Sequence, residues 1–362
     1  MSTLTARARA RSLVSRIVVR EDGRENGREN RRGNRRENRL GIRLENRLSA
    51  SLELVEEQLV ACAARASDPY VADVVGYLVA AGGKRLRPLL TLLAAEFGDP
   101  RTPGVIDAAV ISELTHAASL YHDDVMDVAR IRHGVPSANA RWGNSVAVMA
   151  GNWLLATAAQ LSADLAHSTT PLHAQAAERL VRGQMLELLG PSPDEGPLPH
   201  YFRVISDKTA ALLSHSLRLG ALQSGASAEI GDALAEYGEQ LGVAFQISDD
   251  LLDITSSSAL TGKEQGKDLA VGTAGLPILL ALTGEDPRDD ALRALLNSPT
   301  GIAGADHRRA LDLLSGSEVM AQARAIRDER LDMARSALRG LPSGPALRAL
   351  EALCDVVATR TK

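Results

Sequence analysis

Apolar residues recur at intervals of three and four along most of the chain, the spacing that lines one face of a helix. Runs with this period lie at 51–65, 69–81, 86–97, 105–128 and 139–165, and again at 172–190, 203–224, 228–256, 274–283, 307–314, 317–339 and 344–359. Clusters of Gly, Pro, Ser and Asp such as GPSPDEGPLP at 190–199 separate them, and no alternating strand pattern of useful length intervenes. The pattern predicts an all-α fold, a single large bundle of long helices whose functional groups project inward around a central apolar cavity.

The first 47 residues break the pattern. Residues 21–47 repeat Arg, Glu, Asn and Gly with almost nothing to bury, which predicts a disordered tail over 1–49 and one helical domain over 50–362. Residues 1–47 hold 14 Arg against 6 acids, net +8, so the remainder carries −12 within the chain total of −4. Such an arm suits RNA or an anionic membrane. Lacking interleaved aromatics for base stacking, it reads as a solvated tail, and no specific nucleic acid is expected as a partner.

Ala, Leu, Arg and Glu dominate and aromatics make up 3% of 362 residues, a balance that favours helix over strand. The two cysteines, Cys62 and Cys354, are too few for a disulfide framework and lack metal-ligand spacing. They predict buried apolar residues in a reducing compartment. No run approaches the ~20 apolar residues of a membrane span, and the first twenty residues lack the apolar core of a secretory signal. A cytoplasmic protein without a transmembrane segment is the expectation.

The chemistry lies in two acidic clusters. ELTHAASLYHDDVMD at 113–127 closes an apolar helix with Asp123, Asp124 and Asp127. Three carboxylates at a helix C-terminus repel one another and the helix dipole, so a cation should offset them. GVAFQISDDLLDI at 242–254 repeats the arrangement with Asp249, Asp250 and Asp253. Hard oxygen donors point to magnesium, which takes one or two carboxylates plus substrate phosphates. Two DDxxD copies in apolar helices, where charge is costly to desolvate, predict a shared metal-diphosphate site.

Cations flank the carboxylates in sequence. AAGGKRLRPLL at 80–90 sets Lys84, Arg85 and Arg87 at a helix start, where outward N–H groups and the dipole favour an anion. VARIRHG at 128–134 supplies Arg130, Arg132 and His133, and SDKTAAL supplies Lys208 and Thr209. Lys263 and Lys267, in the loop TGKEQGKDL, are placed to close over a bound diphosphate.

GGKRLRP, LTHAASLYHDDVMD, RHG, KT and FQISDDLLD together resemble the trans-isoprenyl diphosphate synthase (polyprenyl synthetase) family, in the family's order, over about residues 50–359. PSANARWGNS and AFQISDDLLDI look like its long-chain bacterial branch. The resemblance implies the isoprenoid synthase fold and an enzyme that condenses isopentenyl diphosphate with an allylic prenyl diphosphate, releasing pyrophosphate. It implies that Asp123, Asp127 and Asp249 bind magnesium, three ions in all, on the allylic diphosphate, with Asp124, Asp250 and Asp253 ligating or supporting. Arg132, Lys208 and Lys263 then hold that diphosphate, and Lys84, Arg87 and His116 hold isopentenyl diphosphate. His133, Thr209 and Gln246 complete the substrate-binding set, and a homodimer is implied.

Three positions depart from the family pattern. His133 stands where a second Arg is usual, Asn152 where GD is usual, and Ala274-Gly275 interrupt the common TLP phrase before Pro277. On the helix ending at Asp123, Ser119, Ala118, Thr115 and Ser112 are all small and predict room for a long product, with Met149 or Trp153 on the next helix as the residues able to plug it. A class I terpene cyclase would share the first DDxxD but not its repeat, and its aromatic-lined pocket fits poorly with 3 Phe, 5 Tyr and 2 Trp. A non-catalytic subunit of a heteromeric synthase is the other alternative, motivated by His133 and Asn152 and opposed by two intact acidic motifs.

Overall fold

Helices form where the apolar spacing predicts them, and two compact units emerge from the computed structural model of the chain. It describes residues 2–18, 30–165, 167–255, 265–266, 269, 274–298 and 302–360. Unit 1 comprises Met1–Glu178, Leu212–Glu236 and Leu338–Leu353; unit 2 comprises Arg179–Ala211, Tyr237–Ala337 and Cys354–Lys362.

Unit 1 holds α1 (Ser2–Val18), α2 (Asn30–Ala64), α3 (Pro69–Ala81), α4 (Leu86–Ala95) and α5 (Gly104–Met126), then a two-stranded hairpin of β1 (Ile131–Arg132) and β2 (Val135–Pro136). After it come α6 (Ala138–Trp142), α7 (Asn144–Asp164), the start of α8 (Thr169–Leu189) and most of α10 (Ala211–Gln223). Helix α5 is its centre: Ala108, Ala109, Val110, Ile111, Leu114, Ala118 and Tyr121 are fully buried, and it packs along α7 and against α4. The Tyr121 hydroxyl, inside the core, donates to Val74 O at 2.6 Å and accepts from Leu78 N at 3.2 Å, which fixes α3 against α5.

The expected tail is helical from residue 30. Helix α2 crosses the expected boundary at 49/50, because Leu44, Leu48, Leu52, Val55 and Leu59, spaced by three and four, form one buried stripe through it. Ala10, Val14 and Ile17 of α1 are buried as well, and α1 packs on α2. The apolar periodicity was diluted by Arg and Glu on the other faces, so composition alone read as disorder. Residues 21–29 lie outside the described residues.

Unit 2 holds the end of α8, α9 (Pro197–Ile205), a π-helical turn (Ser206–Ala210), the end of α11 (Ala228–Thr255), α12 (Leu276–Thr283), α13 (Asp290–Leu296), α14 (Gly304–Gly316) and α15 (Glu318–Ala337), with the last residues of α16 (Pro345–Ala358). Tyr201, Ile205, Val243, Ile247, Leu251, Leu276 and Leu314 belong to its core. Two expected helices are interrupted. The run 139–165 breaks at Gly143, φ 84°, and the run 203–224 breaks at the π-turn. Cys62 and Cys354 are buried thiols, as expected. Among the described residues α7 is long and apolar enough to cross a membrane, but one of its faces is packed in the unit 1 core.

Candidate active site

In unit 1 the first acidic motif closes α5 with a Schellman turn: Ala129 N bonds Asp124 O at 2.9 Å and Val128 N bonds Val125 O at 3.4 Å. The position that usually takes glycine is Val128, at φ 50°. The turn divides the aspartates. Asp127 is exposed and Asp123 half-buried, while Asp124 is fully buried and accepts from Arg132 Nε at 2.7 Å. Asn139 Nδ2 bonds the Asp124 carbonyl at 3.0 Å. Asp124 thus anchors the hairpin to the helix, and Arg132, expected as a diphosphate ligand, has that anchor as a partner.

The hairpin turn is His133-Gly134, with φ 53° and 81°. Positive φ at both central residues is the type I′ geometry. His tolerates it better than most side chains, which is a local reason for His133 where the family pattern has Arg.

The segment 80–90 splits in the same manner. Arg85, at φ 50° before α4, is buried and pairs with Glu113 at 2.6 Å and with Glu56. It is a structural ion pair, not the open anion site that its sequence context suggests. Lys84 is exposed, and Arg87 is half-buried. Burial pulls the Arg87 guanidinium down to about 10 against the opposing pull of Glu113, and its Nε has no hydrogen-bond partner among the described residues. His116 lies near Arg87, His133, Arg85 and Arg132; burial first, then these neighbours in that order, hold its pKa well below the usual imidazole value. A neutral imidazole amid several cations, beside an unsatisfied guanidinium N–H, suits a diphosphate.

In unit 2 the second motif also turns its middle carboxylate inward. Asp250, 5% exposed, accepts from Tyr201 Oη at 2.6 Å, Leu276 N at 2.9 Å and Gln246 Nε2 at 3.1 Å. Burial outweighs these bonds and pushes its pKa up to about 6. Asp249 and Asp253 are half-buried, and Asp249 pairs with Arg360 at 2.8 Å. The Arg360 guanidinium stacks over Phe245 at 4.2 Å. Lys208, on the π-turn, pairs with Glu187, and Thr209 Oγ1 donates to Gln246 Oε1 at 3.0 Å. Lys263 and Lys267 lie outside the described residues.

Sequence reasoning missed Tyr201, Glu187 and Arg360. Glu187 sits in GQMLEL one helix turn past Gly183, a signal that was present; nothing near Tyr201 or Arg360 in sequence links them to the acidic motif. The product-length residues are also placed differently. Ser112, Thr115 and Ala118 are fully enclosed, with the Ser112 and Thr115 hydroxyls bonded to their own helix, and only Ser119 keeps some exposure. Their smallness serves close helix packing. Met149 is 65% exposed, so it does not plug that wall, and Trp153 packs against the unit 1 core.

Among the described residues no three His, Cys, Asp or Glu form a metal-binding group. Each motif instead has two carboxylates that are not fully buried, which fits a magnesium ion whose remaining ligands are water and diphosphate.

The family model of polyprenyl synthetase matches residues 68–312. The chain is 43% identical over 305 residues to nonaprenyl diphosphate synthase of Mycobacterium tuberculosis, covering 84% of this chain and 91% of the relative. It is 35% identical over 316 residues to heptaprenyl diphosphate synthase component 2 of Geobacillus stearothermophilus, covering 86% and 97%. Among solved structures it resembles geranylgeranyl pyrophosphate synthase from Corynebacterium glutamicum complexed with calcium and isoprenyl diphosphate, with TM-score 0.79, 39% identity and coverage of 88% and 98%.

Proposed function

The chain belongs to the polyprenyl synthetase family, and from that membership we propose how its residues divide the work of joining two diphosphate substrates. It is a trans-prenyltransferase that condenses isopentenyl diphosphate with an allylic prenyl diphosphate and makes a long-chain polyprenyl diphosphate. Asp123, Asp127 and Asp249 are the magnesium ligands for the allylic diphosphate, with three ions bound. Arg132, Lys208, Thr209 and Lys263 bind that diphosphate, and Lys84, Arg87, His116 and His133 bind isopentenyl diphosphate. Asp124, Asp250 and Gln246 support these groups, and Asp253 assists the metal.

In the reaction the allylic C–O bond breaks and pyrophosphate leaves with the electron pair. The isopentenyl double bond then forms the new C–C bond, and the proton lost afterward goes to pyrophosphate, so no side chain is needed as nucleophile or base. When bound, magnesium supplies a counter-charge for the departing pyrophosphate. The basic side chains hold both anions in place, and apolar walls keep water from the carbocation.

The observation that carries the isopentenyl assignment is the unsatisfied Arg87 Nε beside a neutral His116 and several cations. A homodimer is proposed on a second observation: α7 exposes Val148 and Met149 along one face, continued by exposed Ala156, Ala159 and Ala163. A cytoplasmic location goes with these assignments. The test is to supply magnesium, isopentenyl diphosphate and farnesyl diphosphate to the purified chain and resolve products by mass. Longer prenyl diphosphates are expected; turnover only after adding a second protein would select the heteromeric-subunit reading.

A further inference from the structure

The π-turn that carries Lys208 and Thr209 is held by residues that the family resemblance does not assign. Inserting one extra residue into a helix is uncommon and costs hydrogen-bond geometry, so something must keep the turn in place. Arg179, on α8, donates to Asp207 Oδ1 at 2.9 Å, to Ser206 Oγ at 3.1 Å and Ser206 O at 3.3 Å, and to Glu239 Oε2 at 3.0 Å. Arg182 takes the other Asp207 oxygen at 2.8 Å. Helix α8 can approach so closely because Gly183 has no side chain: a Cβ there would lie 2.4 Å from Lys208 N. Gly242 of α11 does the same on the other side, where a Cβ would lie 2.4 Å from Ala210 Cα.

We infer that Arg179, braced by Glu239, is a positioning residue for the allylic diphosphate: it fixes the π-turn so that Lys208 is presented to that substrate and Thr209 to Gln246. The planar fork matters as well as the charge, because one guanidinium bonds the turn through Asp207 and Ser206 and α11 through Glu239. The inference rests on Lys208 as a ligand of the allylic diphosphate, proposed above.

The experiment compares Arg179→Met, Arg179→Lys, Glu239→Gln and Lys208→Ala, varying farnesyl diphosphate and isopentenyl diphosphate separately at saturating magnesium. Circular dichroism melts accompany each, with calorimetric binding of inorganic pyrophosphate plus magnesium. Arg179→Met should raise KM for farnesyl diphosphate about 10- to 100-fold, with KM for isopentenyl diphosphate within about twofold and a parallel loss of pyrophosphate affinity. Arg179→Lys should recover part of the loss. If Arg179→Met melts below the assay temperature, Glu239→Gln supplies the same readout. The inference is overturned if Lys208→Ala raises the farnesyl KM selectively while the Arg179 and Glu239 variants leave both KM values unchanged or raise both alike. If Lys208→Ala has no such effect, the reading of Lys208 fails first and takes this inference with it.

Discussion

Asp124 and Asp250 occupy the same position in two DDxxD motifs, and both carboxylates are turned away from water, yet their partners differ in kind. Asp124 in unit 1 meets a full positive charge, Arg132, eight residues along the chain. Asp250 in unit 2 meets neutral donors: a phenol, an amide side chain and the backbone N–H that opens α12. Hydrogen bonds and a helix N-terminus favour a carboxylate. At Asp250 they do not match the cost of burial, and its pKa stands near 6. One motif is therefore braced by an ion pair and the other by dipoles, which makes the second motif sensitive to acid.

The comparison breaks most visibly at the outward carboxylates, where the two units should behave alike. Asp123→Ala and Asp249→Ala are each expected to lower turnover by about 10³-fold or more, measured by incorporation of labelled isopentenyl diphosphate. Full activity in both variants would sink the metal assignment.

Removing the partners should separate the units. Arg132→Ala leaves the Asp124 charge buried and should cost about 3 kcal/mol, while Tyr201→Phe removes one donor from Asp250 and should cost about 1–2 kcal/mol. Urea unfolding at pH 7.5 in a chelator gives both numbers, and equal losses would erase the distinction between ion pair and dipoles.

Acid sharpens it further. With a folded pKa near 6, above the ordinary aspartate value of 3.8, the native state holds the Asp250 proton more tightly than the unfolded chain does. Its contribution to stability is therefore fully present below about pH 4 and is lost as pH rises through 6. Between pH 4.5 and 7 that loss amounts to about 2 kcal/mol. The difference between wild type and Asp250→Asn, unfolded in a metal chelator across this range, should show that slope.

The smallest expected effect is at Val128, a β-branched residue in the left-handed region at the end of α5. Val128→Gly should raise thermal stability by about 0.5–1 kcal/mol, the strain relieved less the entropy that glycine adds to the unfolded chain.

The helices and the functional residue types were legible because both are local properties. A 3.6-residue apolar period and a DDxxD cluster can be read within one window. What stayed hidden depends on partners far away in sequence. Nothing near Asp250 announces Tyr201, 49 positions upstream, and nothing near Asp249 announces Arg360 at the other end of the unit. Arg85 looked like its neighbours Lys84 and Arg87 until Glu56 and Glu113 claimed it from α2 and α5. The stripe of small residues before Asp123 goes with a long product, yet Ser112, Thr115 and Ala118 are fully buried, because smallness serves tight packing as readily as a tunnel. The N-terminal helices were missed for the opposite reason, since charged residues outnumber the apolar stripe that holds α2.

The buried thiols have a practical side. Cys62 and Cys354 are at most 1% exposed, so the native chain should react slowly with maleimide or methanethiosulfonate reagents. Val128, 77% exposed just past the first motif, and Thr255, exposed just past the second, are then natural places for Val128→Cys and Thr255→Cys. A pair of spin labels at these positions would follow the separation of the two motifs by electron resonance as magnesium and pyrophosphate are titrated in, without first stripping the protein of its own cysteines.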